Sequence, residues 1–352
     1  MKYIKINEKN AEKLKRMLKE ANLLDNSSSA RYNKGYVYFP VSASAVNLKE
    51  SFKKINAAIG KGAKIVFMKG AKSEKRETYN DKLSKILTKD EMKELAKGYD
   101  LLGNIAIIEL SENLKGKEKE IASALLSSSP NIKTVLKKAG PVHGVYRTRK
   151  LEYVAGEPSY IAHYRENGCI FEFDTRKVFF SNRLSYERSR IASQVRDKEN
   201  VMVFFAGVGP FAIEIAKAHK SARIVAIELN RSAYMYMKKN IELNKTSNVT
   251  PVLGDVRVVS AQFKNFADRI VMPMPKTSIS FMDEVLLVSK KHAIVHMYSF
   301  TNSSAPFDEL HKVLYNYAKA HKCSISIIKE RIVRPYSASE VEIVVDFAID
   351  KH

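Results

Sequence analysis

The sequence predicts an α/β protein. A doubly wound, largely parallel sheet fills its C-terminal half, and two smaller α+β domains precede it. Two observations carry this reading. From Val201 onward, short apolar runs that read as strands alternate with segments of helical period. The first of those strands runs straight into a glycine-containing turn, FAGVGP at 205–210, that opens a helix.

Each element follows in order. Residues 1–72 form a small unit, with Leu14, Met17 and Leu18 on one face of a helix over 10–21 and strands at 36–40 and 64–68. Residues 73–98 are rich in charge and poor in large apolar side chains, which predicts a solvated linker with a short helix. A middle domain over 99–184 is expected to hold strands at 105–110, 145–149, 169–173 and 178–180 and a helix over 117–126. The third domain, 185–352, opens on a helix over 185–195 with Ser185 as its candidate N-cap. Strands then fall at 201–205, 223–228, 250–253, 269–272 and 293–299. Helices fall between them at 211–219, 232–244 and 279–289, and another follows at 307–319. Two strands at 324–333 and 340–349 close the chain as a hairpin edge.

Composition narrows the partners. The chain has 352 residues, with 60 Lys plus Arg against 38 Asp plus Glu, a net charge of +22. Such an excess points to a polyanion, and nucleic acid fits better than a membrane because no lipidation motif is present. Two cysteines, Cys169 and Cys323, build neither a disulfide framework nor a zinc site, so no metal is expected. The N-terminus lacks the apolar core of a signal peptide, and no apolar run reaches about 18 residues. The expectation is a cytoplasmic protein that needs no protein partner.

The turn at 205–210 is the sharpest local signal. Gly207 and Gly209 let the backbone turn and approach a ligand without a Cβ clash. Strand two ends in Glu228, where a carboxylate accepts hydrogen bonds from both hydroxyls of a ribose. The next strand ends in Gly254 and Asp255, where a carboxylate can take the exocyclic amine of adenine. The third glycine of a dinucleotide fingerprint is missing. This set suits S-adenosylmethionine better than NAD. Phe205, Ala206, Leu229, Val256 and Pro273 join the candidate cofactor contacts as neighbours of the same strand ends.

Nearly the whole chain resembles the archaeal and eukaryotic tRNA (guanine-37-N1) methyltransferases. The resemblance rests on YDLLGNIAI at 99–107, YRTR at 146–149, RENG at 165–168 and FSNRL at 180–184 followed by Glu187 and Arg188. It continues through FAGVGPF at 205–211 and ADRIVM at 267–272 followed by Pro275 and Lys276. It implies a small N-terminal domain contacting the body of the tRNA, a middle domain, and a class I, Rossmann-like methyltransferase domain. The implied reaction is methyl transfer from S-adenosylmethionine to a purine beside the anticodon. Methylating guanine N1 requires a proton acceptor and a cationic group near O6. The resemblance puts these roles on Glu187 and Arg147. Arg188 and Pro273 join the catalytic set, and Arg149, Arg165, Arg183 and Lys276 are candidate tRNA contacts.

The chain departs from the family pattern in three places. Phe179 stands where the family often has Tyr, and Val203 where an acid is common. The family's Asn-Leu-Pro reads Pro273-Met274-Pro275. Proline offers neither a side-chain amide nor a backbone N–H to orient guanine. This resembles an archaeal branch tied to wyosine synthesis, which methylates the tricyclic intermediate 4-demethylwyosine at C7 to give isowyosine in tRNA-Phe, with or without the guanosine reaction. Two rivals are an aminocarboxypropyl transferase acting on the same tricycle and a non-catalytic tRNA-binding protein. The intact Glu187-Arg188 pair argues against the first, and the intact cofactor loop argues against the second.

Overall fold

A computed structural model describes residues 2–25, 28–42, 48–60, 62–68, 77–95, 98–144 and 146–352. The chain divides into two compact units, residues 1–78 and 79–352.

The first unit contains β1 (Lys2–Asn7), α1 (Ala11–Glu20), β2 (Arg31–Asn33), β3 (Tyr36–Val41), α2 (Leu48–Ala58) and β4 (Lys64–Phe67). Its sheet has the order β2-β3-β1-β4. Alternation along β1 and β3 sends Ile4, Ile6, Val37 and Phe39 into a core with Leu14 and Leu18 of α1 and Ile55 of α2. Lys5 and Tyr38, paired across the strands, belong to the other face. There the Lys5 ammonium lies 3.9 Å from the centre of the Tyr36 ring, and the Arg31 guanidinium 5.4 Å from that of Tyr3.

The second unit begins with α3 (Tyr79–Leu83) and α4 (Lys89–Glu94), then β5 (Tyr99–Leu102), β6 (Ile105–Ile108), α5 (Glu118–Ser128), β7 (Thr134–His143) and β8 (Thr148–Gly156). The four strands form one sheet in sequence order. The predicted linker is corrected here. Leu83, Leu87 and Leu95 are buried in one core with Ile121 and Leu125 of α5, so the helices before β5 belong to this domain. Thr88 caps α4 in a reciprocal capping box with Glu91, which fixes where the helix starts. The strand expected at 145–149 begins only at Thr148. Arg147 sits in the turn before it with φ +52, and Val145 lies outside the described residues.

A hairpin follows, β9 (Ile161–Glu166) and β10 (Cys169–Asp174). Residues 178–180, expected as a strand, have no strand partner among the described residues. Gly103 explains how the hairpin meets the preceding sheet. At φ +62 its absent Cβ would stand 1.9 Å from the His163 carbonyl oxygen, so only glycine permits the approach.

The remaining elements are α6 (Ser185–Ala192), β11 (Asn200–Val203), α7 (Pro210–Ala218), β12 (Arg223–Glu228), α8 (Arg231–Asn244), β13 (Val249–Leu253) and α9 (Val256–Val259). They continue with β14 (Ala267–Met272), α10 (Met282–Val288), β15 (Ser289–Asn302), α11 (Asp308–Ala320), β16 (Cys323–Pro335) and β17 (Glu340–Lys351). Ser185 is the first residue of α6 rather than its cap; Leu184 holds the cap position with no side-chain hydrogen bond. The seven-stranded sheet runs β13-β12-β11-β14-β15-β17-β16. It is parallel from β13 to β15, and β17 lies antiparallel to both neighbours. The strand order reverses between β11 and β14, so the crevice beyond the carboxyl ends of β11, β12 and β14 is where this topology binds ligands.

Candidate active site

The turn after β11 is built for close approach. Phe205, Gly207 and Gly209 all have positive φ, at +52, +58 and +89. Gly209 caps α7, and Pro210 occupies the first helical position, where its missing N–H costs nothing. A Cβ on Gly209 would stand 3.0 Å from Met237 Cγ, so that glycine answers to packing. Among the described residues, a Cβ on Gly207 would meet only the Phe179 carbonyl oxygen, at 4.0 Å, so that glycine has room for a ligand. Phe205 is a bulky residue in the left-handed region, a strained conformation held by packing of its ring edge-on against Phe281 at 4.8 Å.

The strand-end carboxylates sit beside this turn. Glu228 accepts the Gly207 N–H through Oε2 and the Asn230 N–H through Oε1, both at 2.7 Å. Burial pushes its carboxyl above the ordinary range, although the backbone donors oppose this. Each oxygen keeps acceptor capacity for a ribose hydroxyl. Leu229 exposes an apolar side chain at the strand tip, whereas the Val256 side chain is buried, which leaves only its main chain for a ligand. Asp255 caps α9, its Oδ1 accepting the Arg257 N–H at 2.9 Å, and its partly exposed Oδ2 lies 3.6 Å from the Arg257 guanidinium. A glycine cradle with an apolar tip between two carboxylates fits the ribose and adenine of S-adenosylmethionine. Ala206 is buried under the turn, and Pro273 stands half-buried one residue past β14.

Arg147 meets this site from the middle domain. Its guanidinium lies 4.7 Å from the Phe179 ring centre and 6.0 Å from that of Phe300. The Phe300 N–H donates to the Pro275 carbonyl at 3.3 Å, which ties β15 to the segment Pro273-Met274-Pro275. Arg147, Phe179, Phe300 and that segment therefore gather beside the glycine turn.

Glu187 is not the exposed helix carboxylate that composition alone would favour; it is 1% exposed. Its Oε2 accepts from Arg190 Nε and from the Tyr298 hydroxyl, both at 2.9 Å. Its Oε1 lies 3.1 Å from Arg331 Nη1 but receives no aligned hydrogen bond. Burial and the neighbouring Glu187 carboxylate hold the Tyr298 hydroxyl protonated far above its usual range, so it remains a donor. The Tyr298 ring in turn packs 6.0 Å from Phe211, in the first turn of α7.

Arg188 differs from expectation. It is 2% exposed and faces inward, 2.6 Å from Glu166 and 3.5 Å from Glu214, and it donates to the Ser181 carbonyl at 3.1 Å. A guanidinium committed in this way locks the 180–188 segment rather than facing a substrate. Arg183 is half outside and pairs with Asp100 at 3.0 Å. Arg149 is half-buried, and Arg165 and Lys276 are exposed.

Residues that sequence reasoning missed hold the site together. Asn240 accepts the Glu172 N–H at 2.8 Å and donates to the Val208 carbonyl of the glycine turn at 3.1 Å. Asn244 accepts the Ile170 N–H at 2.9 Å and returns a bond to its carbonyl. These amides on α8 pair the open edge of β10. Their i, i+4 spacing is the only signal in the sequence, and polar residues on a helix ordinarily face solvent. Asp346 and His296 were also missed. Asp346 receives Arg190 at 2.5 Å and His296 at 2.7 Å, and so braces the guanidinium that holds Glu187.

A parallel sheet with an antiparallel seventh strand, a glycine turn at its switch point and acids at two strand ends define a class I, S-adenosylmethionine-dependent methyltransferase. The chain belongs to the TRM5/TYW2 methyltransferase family. The TRM5/TYW2 methyltransferase domain matches residues 162–326, the TYW2 N-terminal domain 79–159, and the tRNA methyltransferase 5 N-terminal domain 4–49. The chain is 31% identical to the tRNA (guanine(37)-N(1))-methyltransferase Trm5b of Methanocaldococcus jannaschii, over 99% of this chain and 98% of that one. It is 33% identical to the tRNA 4-demethylwyosine(37)-methyltransferase Taw21 of Saccharolobus solfataricus, over 73% of this chain and 95% of that one. Among solved structures it matches aTrm5 in complex with tRNALeu, with a TM-score of 0.70 and 30% identity over 99% of both chains. It also matches M. jannaschii TYW2 in complex with AdoMet, with a TM-score of 0.58 and 25% identity over 72% of this chain and 100% of that one.

Proposed function

We propose that the protein methylates the purine at position 37 of tRNA, drawing on the cytoplasmic pool and acting without a protein partner. The observation that carries this reading is Arg147, held against exposed Phe179 beside the glycine turn. A cation and an aromatic face next to the cofactor cradle suit an extruded purine. Bound at that cradle, S-adenosylmethionine supplies the methyl group. Arg147 neutralises the charge that builds on O6 as guanine N1 loses its proton. Glu187 accepts that proton through Oε1, the oxygen without an aligned donor. Arg190 and Tyr298 fix the carboxylate, and Arg188 fixes the segment that carries it. Exposed Arg165 and Lys276, together with Arg149 and Arg183, contact the tRNA backbone.

Pro273 favours a second substrate on the same site, the 4-demethylwyosine intermediate of tRNA-Phe, methylated at C7. A site built around a hydrogen bond discriminates strongly, whereas an apolar one discriminates weakly. Pro273-Met274-Pro275 presents no side-chain amide. Mass spectrometry of nucleosides after reaction with unmodified and 4-demethylwyosine-containing tRNA-Phe tests both readings. The expected product carries one added methyl at position 37, and Pro273→Asn should shift the ratio toward guanosine N1. An added aminocarboxypropyl mass makes the protein the other transferase, and no product with either tRNA makes it a binding protein.

A further inference from the structure

Three aromatic rings and a guanidinium meet at one end of the large sheet, and the reaction chemistry above uses only part of that cluster. Phe300 near the end of β15 and Tyr336 in the turn between β16 and β17 have ring centres 4.0 Å apart. The turn is held rigidly: the N–H groups of Tyr336 and Ser337 both donate to the Glu340 carbonyl, at 2.9 and 3.1 Å. Beneath, Phe300 pairs across the strands with Glu342, which is buried and receives Arg334 Nε at 2.6 Å. The Phe300 main chain is held on one side by its strand pairing with Glu342 and on the other by its N–H bond to the Pro275 carbonyl. Tyr336 is 43% exposed, so one ring of the stack remains open. Arg147 stands 6.0 Å from the Phe300 ring and 4.7 Å from that of Phe179, itself 40% exposed. Arg147 also holds a left-handed backbone at φ +52, a conformation that persists where surrounding structure enforces it.

We propose that Phe300 and Tyr336 form a stacking platform for the extruded purine, with Tyr336 its contact face and a determinant of base positioning. The inference rests on the reading of the site as one that methylates a purine of tRNA. A base laid on Tyr336 extends the Phe300–Tyr336 pair, whose ring planes are tilted by 32°, and Arg147 stands 6.0 Å from the Phe300 ring of that pair. Stacking tolerates any base with a π-face, so the platform accepts guanine and a tricycle alike, and Arg147, Glu187 and Pro273 do the discriminating.

The test uses the full chain and tRNA carrying 2-aminopurine at position 37, whose fluorescence is quenched by stacking. Wild type and Tyr336→Phe should give a quenched complex, and Tyr336→Ala a brighter one. On guanosine-37 tRNA at saturating S-adenosylmethionine, Tyr336→Ala should lower the single-turnover rate about ten- to a hundredfold, the scale of one lost base stack. Its affinity for S-adenosylmethionine should match wild type. Unchanged quenching or an unchanged rate in Tyr336→Ala overturns the platform. So does loss of cofactor affinity in that variant, because Tyr336 would then be supporting the cofactor site. Absence of any methyl product from wild type instead sinks the underlying reading of position 37, which keeps the two failures apart.

Discussion

A carboxylate in the first turn of a helix ordinarily stays in water, where the helix dipole stabilises it modestly. Glu187 holds that place in α6 and is nearly inaccessible, with Arg190, Arg331 and Tyr298 around it. Taking such a group out of water costs several kcal/mol, which only close partners offset. The site concentrates those partners on Oε2 and leaves Oε1 poorly bonded. Glu187→Gln keeps the shape and removes the proton acceptor, so the single-turnover rate should fall about 10²–10⁴-fold while cofactor affinity holds. A near-normal rate with intact structure would make Glu187 a brace for Arg190 and nothing more.

At the scale of elements, legibility followed how local the signal was. The alternation from β11 to β15 stood out because each strand is an apolar run closed by its own turn, and the glycine turn and both strand-end acids fell where it put them. The helices before β5 were hidden because Leu83, Leu87 and Leu95 are diluted among charges, and nothing local says that α5 lies across from them. Docking of β10 on α8 was illegible for a similar reason, since Asn240 and Asn244 act through backbone groups far away in sequence. The same hairpin carries a charge problem of its own. Glu166 at the end of β9 and Glu214 on α7 share the single guanidinium of Arg188. Burial first, then the Glu166 charge, pushes the Glu214 carboxyl up to about 8, against the opposing pull of Asn167 and Arg188. Between about 4.5 and about 8 the native state therefore holds a proton that the unfolded chain has released. Stability from this group is full below the unfolded pKa and declines as pH rises through that window. Glu214→Gln should flatten the decline in denaturant midpoints measured from pH 5 to pH 9. An unchanged slope would mean that Glu214 is ionised throughout and that Arg188 satisfies both acids.

The molecule joins a compact unit that carries the glycine turn and strand-end acids, residues 79–352, to a smaller one, residues 1–78. The charge of +22 belongs to the chain, but the first unit shows part of it in a specific form, Lys5 laid over Tyr36 and Tyr38 on the face of the sheet turned away from its core. Lys5 over Tyr36 and Tyr38 places a cation and exposed aromatic edge together, a combination that suits RNA. Two contributions to tRNA affinity should then separate. The backbone contribution releases counterions, so the logarithm of affinity should fall linearly with that of salt, by about 0.7–0.9 per phosphate contact. A chain beginning at Tyr79, the first residue of the second compact unit, should bind S-adenosylmethionine as the full chain does. It should bind tRNA more weakly and with a shallower salt slope, because it has lost phosphate contacts. Titrating both chains with labelled tRNA from low to physiological salt measures the two slopes. Equal slopes and equal affinities would assign the entire charge effect to residues 79–352 and leave the first unit without a part in holding the RNA.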